Sequence, residues 1–100
     1  MKLEEKNMSQ FLVVSYDISD DKRRKRVFNL LEGYGKRVQF SAFECVLSDR
    51  KFEELRVRLA KVVKMDEDSV RFYPISKHTL GQVVIWGEPP LTQVSGSVVV

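Results

Sequence analysis

The chain has 100 residues and a formal net charge of +3, with 43% of its residues hydrophobic. Compact domains usually hold about 100–150 residues, so this is one small domain whose modest core gains from a subunit contact. No apolar run approaches the roughly 18–20 residues that cross a bilayer, and Cys45 has no second cysteine to pair with. A soluble, cytoplasmic protein without membrane contact, carrying a reduced and buried thiol, is the expectation.

Met1 to Gln10 is polar and charged and reads as an N-terminal extension, residues 1–10, that is neither signal peptide nor anchor. Phe11 to Tyr16 is an apolar run bounded by polar residues, as in a strand at the centre of its sheet. Ser19, Asp20 and Asp21 supply a cap and an acidic first turn. Val27, Leu30, Leu31 and Tyr34 then recur at helical spacing until Gly33 and Gly35. In "RVQFSAFECVL" the apolar parity switches, with Val38 and Phe40 even but Phe43, Cys45 and Leu47 odd. Two short strands with a tight turn near Ser41 and Ala42 accommodate that switch.

A second helix is expected from Asp49 to Met65, its apolar stripe formed by Phe52, Leu55, Leu59, Val62 and Val63. Ser69 to Ile75 reads as a strand with Pro74 near its end or on an edge. "SKHTLG" reads as a loop and Gln82 to Trp86 as a further strand. "GEPPL" forbids regular structure, and the closing "SVVV" reads as an edge strand or a disordered end. The order implies an α+β class: a ferredoxin-like βαββαβ sandwich over residues 11–86, with an extra C-terminal strand and a tail over 87–100. Helices on one side of a four-stranded sheet leave its other face bare. Two such faces packed together, with "QVVIW" extending the partner subunit's sheet, cover that surface and make a homodimer.

The chemistry concentrates in "VVSYDISDDKRRKRV", where five bases stand against three acids between Asp17 and Arg26. Asp17 ends the buried strand, a place where a side chain is held firmly yet reaches solvent. Magnesium usually takes one or two protein carboxylates and completes its octahedron with water and phosphate oxygens, so two copies of Asp17 across a dimer axis would suit it. The alternative is a turn or capping residue. Lys22 to Arg26 is either a phosphate-holding patch or a solvated helix face, and it covers more than one turn. Positive charge in a first helical turn opposes the helix dipole, which points to an anionic ligand. Arg37 either contacts phosphate or flanks a strand; Ser41 bonds phosphate or closes the turn; Phe43 stacks on a base or fills the core. His78 reads as an exposed loop residue and Trp86 as an interface or core anchor. Neither a nucleophilic triad, a zinc pattern nor a glycine-rich phosphate loop is present.

"VVSYDISDDKRRKRV", "LLEGYGKRVQFSAFECVLS" and "DSVRFYPI", taken in this order, resemble the small CRISPR-associated endoribonuclease family of spacer acquisition, over about Phe11 to Trp86. The resemblance implies a ferredoxin-like homodimer that partners the CRISPR integrase and holds DNA bound for the repeat array. It also implies a metal-dependent endonuclease acting on RNA or double-stranded DNA. Asp17 of each subunit would then be the catalytic, metal-holding carboxylate, with Mg2+ or another divalent cation such as Mn2+. The family pattern further implies nucleic-acid contacts from Tyr16, Arg24, Arg26, Arg37, Ser41 and Phe43, all present here. Phe40 departs from it, standing where a tyrosine is common. Two alternatives remain open: a non-catalytic nucleic-acid-binding assembly module, and a toxin-type ribonuclease of the same fold.

Overall fold

The computed structural model describes residues 9–93. Strand β1 (Ser9–Asp17) is followed by helix α1 (Asp21–Glu32), strands β2 (Gly35–Gln39) and β3 (Ala42–Ser48), helix α2 (Asp49–Ala60), strand β4 (Ser69–Ile75) and the short helix α3 (Lys77–Leu80). The four strands form one antiparallel sheet in the order β2-β3-β1-β4. This is the ferredoxin-like arrangement, with β1 central as its apolar run requires.

Strand alternation divides the side chains between two faces. Leu12, Val14 and Tyr16 of β1, with Phe43, Cys45 and Leu47 of β3, turn toward the helices and meet Val27 and Leu31 of α1 and Leu55 and Leu59 of α2. Fully burying each of the larger side chains is worth about 1.5–3 kcal/mol, and this layer is the main core. The opposite face carries Phe11, Val13, Ser15 and Asp17 from β1, Ala42, Glu44 and Val46 from β3, and Arg71, Tyr73 and Ile75 from β4. No helix of the sandwich covers it. Glu44 is buried there, and the backbone N–H of Thr92 donates to its carboxylate at 2.9 Å, so the segment after Trp86 reaches this face.

Helix α1 begins where Asp20 accepts the Arg23 amide at 2.9 Å and ends at Gly33. The Ser48 hydroxyl caps α2 by accepting the Lys51 amide at 3.2 Å. This helix stops at Ala60 rather than at Met65. The Lys64 amide bonds the Asp68 carboxylate at 2.9 Å, and the Glu67 and Asp68 amides turn back to the Lys64 carbonyl, so residues 61–68 close on themselves. Val62 and Val63 still pack against the core from this loop.

The parity switch in the hairpin is a bulge. The register slips between Arg37 and Gln39, leaving Val38 as the extra residue, and the turn falls on Phe40 and Ser41, one residue earlier than expected. The Ser41 carbonyl accepts the Tyr16 amide at 3.1 Å, which ties this turn to β1. Pro74 sits on β4, an edge strand, where a missing N–H is tolerated.

Two further expectations change. Strand β1 begins at Ser9, two residues inside the supposed extension; the rest of that extension and "SVVV" lie outside the described residues. "SKHTLG" is a helical turn, because Ser76 caps it by accepting the Thr79 amide at 3.1 Å. Gln82 to Trp86, expected to extend a partner subunit's sheet, has no strand neighbour within this chain, where β4 ends the sheet. Val84 is 78% and Trp86 93% exposed.

At the start of β2, a Cβ on Gly35 would meet the Cys45 sulfur, the Glu44 carbonyl oxygen at 2.5 Å and the Cys45 Cα at 3.1 Å. Two of these are backbone atoms of the paired strand and cannot rotate away. Gly35→Ala is expected to destabilise the fold by about 2 kcal/mol or more, as overpacking does. Gly33→Ala, whose nearest neighbour lies at 3.4 Å, is expected to change little. Urea unfolding of the two variants checks the contrast.

Candidate nucleic-acid interface

Tyr16 and Asp17 are consecutive at the end of a strand, so they point to opposite faces. Asp17 is exposed at the end of the open face, opposite Ser69 of β4 and beyond Ser15 and Arg71. The capping role that a loop aspartate can fill belongs here to Asp20. Among the described residues, His, Cys, Asp and Glu side chains nowhere gather in a group of three or more that could hold a metal ion. The chain therefore presents Asp17 as a single accessible carboxylate at the end of a paired strand.

On the helix side of the same end lies a depression of about 340 Å³. Its floor is Tyr16 and Phe28, and its rim carries Arg24, Lys25, Arg37, Phe40 and Ser41 together with one carboxylate, Asp21. Burial raises the Tyr16 hydroxyl pKa, and the positive charges of Arg37 and Arg24 pull it partly back, which places the phenol among those guanidinium groups. The Arg37 guanidinium lies 5.3 Å from the centre of the Phe28 ring and 6.0 Å from that of Phe40. Both are distances at which a cation is attracted to an aromatic face.

The five-base run has divided roles. Arg23 donates to Asp68 at 2.8 and 3.0 Å and to Glu67 at 3.1 Å, fastening α1 to the residue that precedes β4. Arg24 donates to the Ile18 carbonyl at 2.9 Å and pairs with Asp21, so it braces the loop after Asp17 while lining the depression. Lys22, Lys25 and Arg26 line a shallower surface beside it with Asn29. That cationic surface and the depression meet at Lys25 and Asp21.

The structure thus brings together Tyr16, Arg24, Arg37 and Ser41. Arg26 stands on the adjoining helix face, because two residues along a helix is about half a turn. Phe43 requires a correction: it is fully buried, packed on Phe28 at 5.7 Å and Tyr16 at 6.4 Å between ring centres, and offers no surface to a base. Its position in β3 directs it into the core. Phe40 and Phe28 were not expected at the site, whereas Lys25 belongs to the basic run already singled out. The spacing of Asp21, Lys25 and Phe28 on one helix face carried that signal for Phe28. Cys45 behaves as expected: it is buried, and burial together with the neighbouring Glu44 carboxylate pushes its thiol pKa up to about 11.

The model of the CRISPR associated protein Cas2 family matches residues 8–83. The chain is 64% identical over 88 residues to the CRISPR-associated endoribonuclease Cas2 3 of Synechocystis sp., an overlap covering 88% of this chain and 96% of that protein. Its fold is similar to the crystal structure of Streptococcus pyogenes Cas2 at pH 6.5, with a TM-score of 0.68 and 33% identity over 77% of this chain and 99% of that one. It is also similar to a chain of a partial Cas6-RT-Cas1--Cas2 complex, with a TM-score of 0.69 and 26% identity over 85% of this chain and 98% of that one. No helix among the described residues is long and apolar enough to cross a membrane.

The Arg23 contacts have a pH signature. The hydrogen bond from Arg23, followed by that from the Lys64 amide, holds the Asp68 carboxyl below the usual carboxylate range. A depressed carboxyl stabilises the fold above its unfolded pKa, about 3.9, and that contribution disappears as the pH falls through the folded value. Arg23→Gln is therefore expected to be less stable than the parent at pH 7, with the gap closing in that acidic window. Urea midpoints measured from neutral to acid pH check this.

Proposed function

Because this chain belongs to the CRISPR-associated Cas2 family, we propose that it is a homodimeric, cytoplasmic nucleic-acid-binding protein of spacer acquisition that works beside the CRISPR integrase. We further assign it metal-dependent endonuclease capability on RNA or double-stranded DNA. The observation that carries this reading is the arrangement at the end of β1, where Asp17 stands on one face and the Tyr16, Arg24 and Arg37 cluster on the other.

The dimer is supported by what the protomer leaves unpartnered. The outer edge of β4 ends the sheet, and Gln82 to Trp86 is an exposed, apolar, strand-forming segment without a strand of its own to pair with. Pairing that segment with β4 of a second copy satisfies both, and packing the open faces together would bring two Asp17 carboxylates into one pocket. The donor set fits Mg2+ or Mn2+, which favour carboxylate oxygen and keep several waters. When bound there, such an ion would lower the pKa of a water and polarise the phosphate. Hydrolysis adds water at phosphorus and breaks the P–O bond to the leaving sugar oxygen, which takes up the proton. Arg37, Lys25 and Arg26 hold flanking phosphates, while Arg24 keeps the loop after Asp17 in place.

A non-catalytic assembly role is favoured by one specific observation: the cationic depression is complete within a protomer, whereas the carboxylate pair is not. Two variants separate the readings. Asp17→Asn is expected to lower cleavage of RNA or duplex DNA by about 100-fold or more, since even an outer-shell partner of a metal ligand typically contributes 10–100-fold. It should leave duplex affinity intact. Arg37→Ala is expected to weaken duplex binding and to lower the salt dependence by about one released counterion. Cleavage equal in the parent and Asp17→Asn would remove the nuclease role and leave the assembly role. For the dimer, Val84→Glu with Ile85→Glu is expected to convert the protein to monomer in sedimentation, with the sheet signal retained in circular dichroism.

A further inference from the structure

We propose that Phe40 is a stacking platform for an unpaired base, so that this surface holds single-stranded or frayed nucleic acid by its bases as well as by its phosphates. The inference rests on the nucleic-acid-binding reading above and adds a preference to it.

Phe40 is 81% exposed at the tip of the β2–β3 turn. An isolated exposed apolar residue is ordinary on a protein surface and by itself means nothing. This ring differs in its support. Arg37 lies between the Phe40 and Phe28 rings, at 6.0 and 5.3 Å from their centres, giving a ring, guanidinium, ring ladder whose far end, Phe28, packs on the core residue Phe43. The turn itself is tied down through the Ser41 carbonyl and the Tyr16 amide at 3.1 Å. The ring is therefore held on a braced turn next to the rim charges Arg37 and Lys25, which would meet the phosphates on either side of a stacked base. Inside a duplex both faces of each base are already stacked. Only an unpaired base or a terminal pair can offer a face to Phe40, which sets the preference for unpaired over paired strands.

The test uses the full chain and two oligonucleotides, a single-stranded 20-mer carrying 2-aminopurine and a duplex of matched length whose ends are closed by non-nucleosidic linkers that cover the terminal pairs, at one salt concentration. Phe40→Ala and Phe40→Leu are both expected to weaken single-strand binding about tenfold, in the range of base–aromatic stacking, while duplex affinity stays within about twofold. Leucine keeps the apolar bulk without the π face. Phe40→Tyr is expected to restore affinity, and the 2-aminopurine quenching seen with the parent is expected to vanish in Phe40→Leu. Parent-like single-strand binding by Phe40→Leu would overturn the proposal, as would equal losses on both oligonucleotides, which would make Phe40 a support of the hairpin. In either case duplex binding by the parent would leave the broader reading standing. A parent that binds neither oligonucleotide would overturn both.

Discussion

The functional end of this protein depends on the pairing of β1 along both of its edges. Strand β3 holds one side from Ser9 to Ser15 and β4 holds the other from Phe11 to Asp17. The last two residues are thereby fixed in direction, and alternation along a pleated strand then decides that Tyr16 faces the helices and Asp17 the open sheet. Two chemically different surfaces arise from adjacent residues: one carboxylate on the face away from α1 and α2, and one aromatic and cationic depression on the helix side. A register slip of one residue would exchange them.

The basic run shows how a single stretch of sequence serves stability and binding together. Positive charge near a helix N-terminus is unfavourable, and the fold offsets it with one distant carboxylate and one from the helix's own first turn. Asp68 has no exposed side-chain surface and receives Arg23 at 2.8 Å, while Asp21 receives Arg24. Those two arginines are engaged within the chain, whereas Lys22, Lys25 and Arg26 are turned to the surface. Paired and exposed charges thus alternate around α1, following its 3.6-residue period.

Most of the fold was legible because hydrophobic period carries it. Leu12, Val14 and Tyr16 mark one strand face, Val27 and Leu31 one helix face, and Ser69 to Ile75 a strand found with the expected ends. The features that were not legible depend on long-range or local polar bonds. The end of α2 is set by Asp68 reaching back to Lys64, the α3 turn by one Ser76 hydroxyl, and the bulge at Val38 by the register of β2 on β3. At the site, Phe43 and Phe40 had the same residue type and similar spacing, and only the placement of the turn decides which is core and which is surface. Gln82 to Trp86 reads as a strand on composition, yet a strand is defined by its neighbour, and composition along one chain holds no information about an edge supplied by another.

The buried thiol has a practical consequence for following this protein in motion. Cys45 is the chain's only cysteine, and it has no exposed surface and a pKa pushed up to about 11. Maleimide and iodoacetamide reagents, which need an accessible thiolate, will pass it by near neutral pH. A spin label or fluorophore can accordingly be attached at one chosen surface position without first removing the native sulfur. Distances between two such probes would then be read with the core otherwise unaltered.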